Sequence, residues 1–191
     1  MRRIVVREQP GFSFCMAWTR SLLRDWKWPV TAIGISAVML LAAHAFERLG
    51  HMPPCPLCLR QREVYWALIA MTLTGLGLWR LIPKRRFLVA LNVMIGLVFG
   101  VGAVVAFYHA GVEWGLLPPP DGCSGEGGID PMAFNDFSQP MSVPSCTDAP
   151  FYFLGLSMAG WNGLVSVALA SISLLAAGAT LRGAVRPEET S

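Results

Sequence analysis

Four long apolar runs divide the chain: Trp28–Phe46, Tyr65–Ile82, Phe87–Tyr108 and Gly163–Leu181. Each is close to the roughly 20 residues that carry a helix across a bilayer. The pattern predicts an all-α membrane protein, a four-transmembrane-helix bundle with a long irregular loop between helices three and four. Small residues recur within the runs. Gly96 and Gly100 form a GxxxG pair, and Ser166, Ala170, Ser173 and Ala177 fall along one stripe. At such spacings helix backbones approach closely, so both sets read as packing surfaces. Asn92 is expected to hydrogen-bond inside the bundle, and His44 to reach water at the outer end of span one. Pro83 closes the second run, and Lys84-Arg85-Arg86 makes a tight turn into the third.

Composition agrees with the runs. The 191 residues are 54% hydrophobic and 14% charged, against about 25% charged in soluble domains. Little chain is left for a separate soluble domain, so one domain over residues 1–191 is expected. The net charge of +3 says less than its distribution. Arg2, Arg3, Arg7, Arg20, Arg24 and Lys27 precede span one; Arg80, Lys84, Arg85 and Arg86 separate spans two and three; Arg182 and Arg186 follow span four. The segment from His109 to Asn162 has no Lys or Arg. By the positive-inside rule both termini are cytoplasmic and the cysteine-bearing loops lie outside. Arg48, Arg60 and Arg62 break the rule, and the last two flank a cysteine pair. Ala43-His44-Ala45 resembles a signal-cleavage site, but the apolar run of span one exceeds the 7–15 residues of a signal core. An uncleaved first helix is the expectation.

The candidate chemistry lies in Cys55-Pro56-Leu57-Cys58-Leu59-Arg60-Gln61-Arg62. Prolines favour the first turn of a helix. A helix starting near Pro56 puts Cys58 in that turn, where free N–H groups and the dipole favour a thiolate. Arg62 follows one turn later on the same face. A structural disulfide or half of a metal site would need neither the membrane setting nor this arginine. Cys123 and Cys146 sit in the Pro- and Gly-rich outer loop, which also carries Met132, Phe134, Phe137 and Met141; parts of it are expected to rest on the membrane surface. Four cysteines outside allow three disulfide connectivities. A zinc site made by all four cysteines is the metallic alternative. Cys15, in the basic, Trp-containing N-terminal segment, is expected to be a free thiol without a role. A dithiol that exchanges with a disulfide moves two electrons, and the bilayer offers a quinone (ubiquinone or menaquinone) to receive them.

CPLCLRQR before a helix, Tyr108-His109, Gly111-Val112-Glu113-Trp114 before Cys123, and Cys146 followed by Phe153-Leu154-Gly155-Leu156-Ser157-Met158-Ala159-Gly160-Trp161-Asn162 resemble the DsbB family of disulfide bond formation proteins. The resemblance runs from span one to span four. It implies a bacterial inner-membrane protein that reoxidises the periplasmic thiol oxidase DsbA and passes electrons to quinone. By position, Cys58 would contact the quinone, with Cys55 as its partner. Cys123 would form the mixed disulfide with DsbA, with Cys146 as its partner. Arg62 would support thiolate and quinone, and His109 would stand near the quinone. Gln61, where some members have an acid, receives no role. The alternatives are a vitamin K epoxide reductase-like enzyme, which would normally carry its CxxC near the end of a late span, and a non-enzymatic scaffold with structural disulfides or zinc.

The charge pattern makes a direct prediction. Reporter fusions after Arg86 and after Arg186 should report cytoplasm, and fusions near Gly125 should report periplasm. A cytoplasmic signal at Gly125 would break the four-span topology.

Overall fold

The computed structural model describes residues 26–123 and 145–185. Cys15, Arg186, the rest of the N-terminal segment and the apolar loop residues Met132 to Met141 lie outside them. Four helices form the body: α1 (Lys27–Leu49), α2 (Pro56–Leu81), α3 (Arg85–Glu113) and α4 (Met158–Val185). All four are long and apolar enough to cross a membrane, and the chain is a multi-pass membrane protein. A two-stranded antiparallel hairpin, β1 (Tyr152–Phe153) and β2 (Leu156–Ser157), precedes α4.

The helices extend beyond the apolar runs. Helix α2 starts at Pro56 rather than Tyr65, and α4 at Met158 rather than Gly163. Hydropathy stops at Arg60-Gln61-Arg62-Glu63, yet these residues are helical. Their polar groups find partners: Arg60 pairs with Glu63, while Arg62 and Gln61 turn inward. Ala43-His44-Ala45 lies inside α1, where His44 is part exposed, its Nδ1 3.5 Å from the Glu47 carboxylate.

Consecutive helices joined by short connections run antiparallel, and α3 packs most extensively against α4. The central core gathers Leu68 from α2, Ile95 and Phe99 from α3, Ala32 from α1 and Ala176 from α4, all sealed from solvent. Tyr65 meets Phe99 edge to face, with ring centroids 6.4 Å apart. Val38, Leu41, Val104 and Leu175 point outward, as lipid-facing side chains do. Trp28 donates its indole N–H to Ser173 at 3.1 Å, tying α1 to α4. Ser166, Ser173 and Ala177 are buried, so the small-residue stripe is a packing surface as expected.

Two expectations change. Asn92 is fully buried, but neither its amide oxygen nor its amide nitrogen has a hydrogen-bond partner. Ser36 and Thr72 are likewise buried without partners for their hydroxyls. The second change concerns the GxxxG pair, which does not act as a pair. A Cβ on Gly96 would lie 3.2 Å from Leu174 and 3.4 Å from the Ala170 carbonyl, whereas one on Gly100 would meet nothing. Gly102, on another face of the helix, makes a separate close approach, an added Cβ lying 3.2 Å from Val64 and 3.6 Å from Ser166.

The two glycines should therefore differ under substitution. Gly96→Val should destabilise the bundle by about 1–3 kcal/mol through overpacking, while Gly100→Val should lie within about 0.5 kcal/mol of the parent. Unfolding in mixed micelles measures both; equal losses would contradict this packing.

Candidate functional site

Local structure places the first cysteine pair. Pro53 and Pro54 lead into α2, and Cys55 is its N-cap with φ −76° and ψ 164°. Pro56 occupies the first helical position, where the missing N–H costs nothing. The Cys55 sulfur accepts the Cys58 backbone N–H at 3.2 Å, the task a serine or aspartate oxygen performs at an ordinary cap. The two sulfurs lie 2.8 Å apart, with the Cys55 thiol directed at Cys58. Both are thiols; Cys55 is buried and Cys58 half-buried. The hydrogen bond with Cys58, and then burial, push the Cys55 thiol well above the ordinary thiol range.

The second pair is a disulfide, Cys123–Cys146. Both sulfurs are sealed from solvent. The chain reaches them by folding back over the end of α3. The amides of Leu116 and Leu117 donate to the Gly111 carbonyl, and Tyr108 donates its hydroxyl to the Pro118 carbonyl. A Cβ on Gly111 would sit 2.8 Å from the tip of the Leu117 side chain, so the return packs closely on this glycine. Cys55, Leu57, Val112, Cys123 and Cys146 then form one buried cluster, with Cys58 and Tyr108 against it. The dithiol and the disulfide are thus packed together at one end of the bundle.

Cys123 and Cys146 being joined, the four-cysteine zinc site is not what the structure holds. Ligand atoms of Cys55, Cys58 and His109 do lie within 4.8 Å of one another. The sulfurs, however, are nearer than the ~3.8 Å separating two thiolates on a tetrahedral zinc with Zn–S near 2.3 Å. Their closeness suits sulfur–sulfur chemistry.

Beside the pair a chain of hydrogen bonds crosses three helices. Tyr65 donates its hydroxyl to the Asn162 side-chain oxygen. Asn162 donates from Nδ2 to Gln61 Oε1 at 2.6 Å, and Gln61 Nε2 faces His109 Nδ1 at 2.7 Å. With Oε1 occupied as acceptor, the Gln61 amide must donate to Nδ1. His109 is therefore neutral, with its proton on Nε2. That nitrogen lies 3.5 Å from Cys55 Sγ and 3.6 Å from Glu113 Oε1. Gln61, Asn162 and Glu113 carry no assignment on sequence grounds. Spacing held a signal for two of them: Gln61 is three residues after Cys58, and Glu113 four after His109, each on the same helix face.

Arg62 is directed to the opposite wall. It pairs with Glu47 of α1 and donates to the Ala43 carbonyl at 3.1 Å. Arg62 and Cys58 nonetheless open on one cavity of about 410 Å³, together with His109, Glu113 and Asn162. Its other walls are mainly apolar. Met39 and Phe46 come from α1, and Phe151, Phe153 and Leu156 from the hairpin and its approach. Leu154 and Gly155 turn that hairpin with φ of 51° and 80°, the left-handed pair that matches strand twist. Trp161 donates to the Phe153 carbonyl at 2.8 Å and fixes the hairpin on α4.

A helical membrane bundle with a dithiol packed beside a disulfide defines a membrane thiol–disulfide protein. Comparison with known proteins makes the class specific. The family model for disulfide bond formation protein DsbB matches residues 25–176. An uncharacterized protein of Rickettsia prowazekii (strain Madrid E) is 31% identical over 143 residues, covering 72% of this chain and 78% of its own length. Disulfide bond formation protein B of Polaromonas sp. (strain JS666 / ATCC BAA-500) is 28% identical over 155 residues, with 75% and 85% covered. The protein of that name from Dechloromonas aromatica (strain RCB) is 30% identical over 150 residues, with 75% and 87% covered. No solved structure gives a significant match. The chain belongs to the DsbB family; it is a membrane disulfide bond formation protein.

The two thiols of the first pair should differ sharply in reactivity. With Cys55 buried and its thiol held protonated through neutral pH, a limiting alkylating agent should modify Cys58 about tenfold or more faster than Cys55 at pH 7. Peptide mass mapping of the reduced protein reads the ratio, and equal labelling would contradict the assignment of Cys55 as the protonated partner.

Proposed function

We propose that this protein reoxidises a periplasmic DsbA-like thiol oxidase and passes the electrons to a membrane quinone. The observation that carries the reading is the cavity. It joins the Cys58 sulfur and the Arg62 guanidinium to an apolar space of about 410 Å³ at the cysteine end of the bundle. That volume lies in the range of small-molecule sites. An apolar ring with carbonyl oxygens fits such walls, and Arg62 and the Asn162 amide are polar groups suited to the oxygens.

In this reading the partner's thiolate attacks the Cys123–Cys146 disulfide, with Cys123 taking the mixed disulfide. The released thiols then exchange with the first pair, which the shared cluster holds alongside. Exchange follows thiolate availability and leaving-group pKa. A bound quinone accepts two electrons and two protons. Cys58 faces the space where it would sit; Cys55 closes the disulfide behind it. Arg62 anchors a carbonyl oxygen and is itself held by Glu47 and Ala43. With the positively charged segments in the cytoplasm, this end of the bundle is periplasmic, in a bacterial inner membrane.

Arg62 supplies the test. Arg62→Ala should raise the apparent quinone KM about tenfold, the size of one charge-assisted hydrogen bond. Arg62→Lys should raise it less, because it keeps the charge and loses the planar donor set. Steady-state quinone reduction with a reduced thioredoxin-fold oxidase gives the values. Unchanged kinetics in Arg62→Ala would remove Arg62 from the site, and no quinone reduction by the parent protein would remove the reading.

A further inference from the structure

Cys55 has two opposed sets of neighbours. Cys58 takes the hydrogen of its thiol, and burial removes it from water; both push the thiol up, Cys58 most. Against them stand N–H donors. The Cys58 amide reaches the Cys55 sulfur at 3.2 Å, and the Leu57 amide also favours the charged form. His109 adds a side-chain donor, its Nε2 lying 3.5 Å from the same sulfur in hydrogen-bond geometry. A neutral imidazole carries one N–H, and Gln61 decides which nitrogen bears it. The Gln61 amide donates to Nδ1 at 2.7 Å because its oxygen is taken by Asn162, which is held in turn by Tyr65. The Nε2 proton is left for the sulfur. A thiol sulfur is a weak acceptor, so donors gathered around it stabilise chiefly the thiolate.

We propose that the His109 Nε2–H, with the Cys58 amide, forms a thiolate-binding site for the Cys55 sulfur, and that Gln61 is the positioning residue that sets the tautomer this requires. The site acts when the Cys58 sulfur is bonded elsewhere, in a disulfide with a partner thiol. Cys58 then neither holds the Cys55 hydrogen nor carries a competing negative charge. Cys55 loses its proton to solvent and its thiolate attacks Cys58 Sγ. The Cys55–Cys58 bond forms, and the partner sulfur leaves as a thiolate with the electron pair of the broken bond. Donors on the attacking sulfur raise the thiolate population and lower its nucleophilicity, but the second effect recovers only about half of a pKa change on a logarithmic scale. Below the Cys55 pKa the donors therefore speed closure. The inference rests on the first pair being redox-active, not on the identity of the electron acceptor. The titratable groups facing the sulfur are Cys58 from α2, His109 from α3 and, 3.6 Å beyond Nε2, Glu113. Arg62 and Glu47 line the cavity on which Cys58, rather than Cys55, opens. The Cys123–Cys146 disulfide that shares the cluster does not titrate.

The test uses the full-length protein in lipid nanodiscs, in a Cys15→Ser background. Two amides separate the ring nitrogens: the N–H of His109→Gln falls near Nε2, and that of His109→Asn near Nδ1. With Cys58→Ala added, Cys55 is the free thiol, and its alkylation against pH gives its titration. His109→Asn should lower the Cys55 thiolate population at pH 7 about tenfold, the size of one hydrogen bond to a charged group. His109→Gln should recover most of it. With Cys58 present, this sulfur is converted to its mixed disulfide with a chromophoric aryl thiol, and release of the aryl thiolate reports closure by Cys55. His109→Asn should slow closure about threefold at pH 7, since higher nucleophilicity offsets part of the lost thiolate. Nitrogen NMR of labelled imidazoles in liposomes reads the tautomer. The parent should show His109 with Nε2 protonated and Nδ1 bare. Gln61→Glu, which offers Nδ1 an acceptor in place of a donor, should put a proton on Nδ1. The parent's titration and closure rate in His109→Asn would overturn the proposal, as would equal losses in His109→Asn and His109→Gln, or a parent His109 protonated on Nδ1. A bare Nδ1 in Gln61→Glu would remove Gln61 from its role. The expected titrations in a parent that fails to close would establish the thiolate site and defeat the redox reading of the pair.

Discussion

A buried polar group inside a lipid-surrounded bundle has no water to turn to, so it must be answered by another protein group. At the cysteine end this requirement organises the structure. Tyr65, Asn162, Gln61 and His109 each satisfy a neighbour, and the sequence of donors and acceptors leaves one free proton, on His109 Nε2. That proton faces the sulfur of Cys55 and the carboxyl of Glu113. The same chain joins α2, α3 and α4 at the level of the dithiol, so the groups that hold the helices in register also set the protonation state beside the sulfurs. Removing one member would leave the next unsatisfied, at about 1–3 kcal/mol.

The remaining polar groups follow the rule in a different way. Arg62 is too strongly charged to lie unanswered, and Glu47 with the Ala43 carbonyl holds it on the α1 side of the cavity. The cavity thus has a cationic wall and a neutral, proton-ordered wall, with the Cys58 sulfur between them. In the middle of the bundle Asn92, Ser36 and Thr72 break the rule among the described residues. They are modest in number, and the packing of Phe99, Ile95 and Leu68 around them carries that region.

Much of the fold is legible in the chain because bilayer thickness imposes its own length on a helix. The four spans, the tight turn at Lys84 and the helix start at Pro56 all follow from local rules that need no tertiary contact. Legibility fails where partners decide. Hydropathy ends a run at Arg60-Gln61-Arg62-Glu63, but inward-facing partners let the helix continue through it. Gly96 and Gly100 are equivalent in sequence and opposite in setting, because only one meets α4. Gln61, where an acid might stand, receives no role from the sequence, since its partner is Asn162, 101 residues away. The cysteine pairing is open by counting, and only the return of the chain over Gly111 brings Cys123 and Cys146 into the cluster beside Cys55.

The sulfur cap on α2 has a consequence for how this protein is dissected. In the proposed cycle Cys55 is at once a reactant and the group that closes the first turn of a membrane helix. Replacing it with alanine removes redox chemistry and capping together, and any loss of function then has two causes. Serine is among the best N-cap residues and its oxygen can accept the same Cys58 amide. A serine at this position separates the two duties, leaving the helix end intact while the electron path is cut.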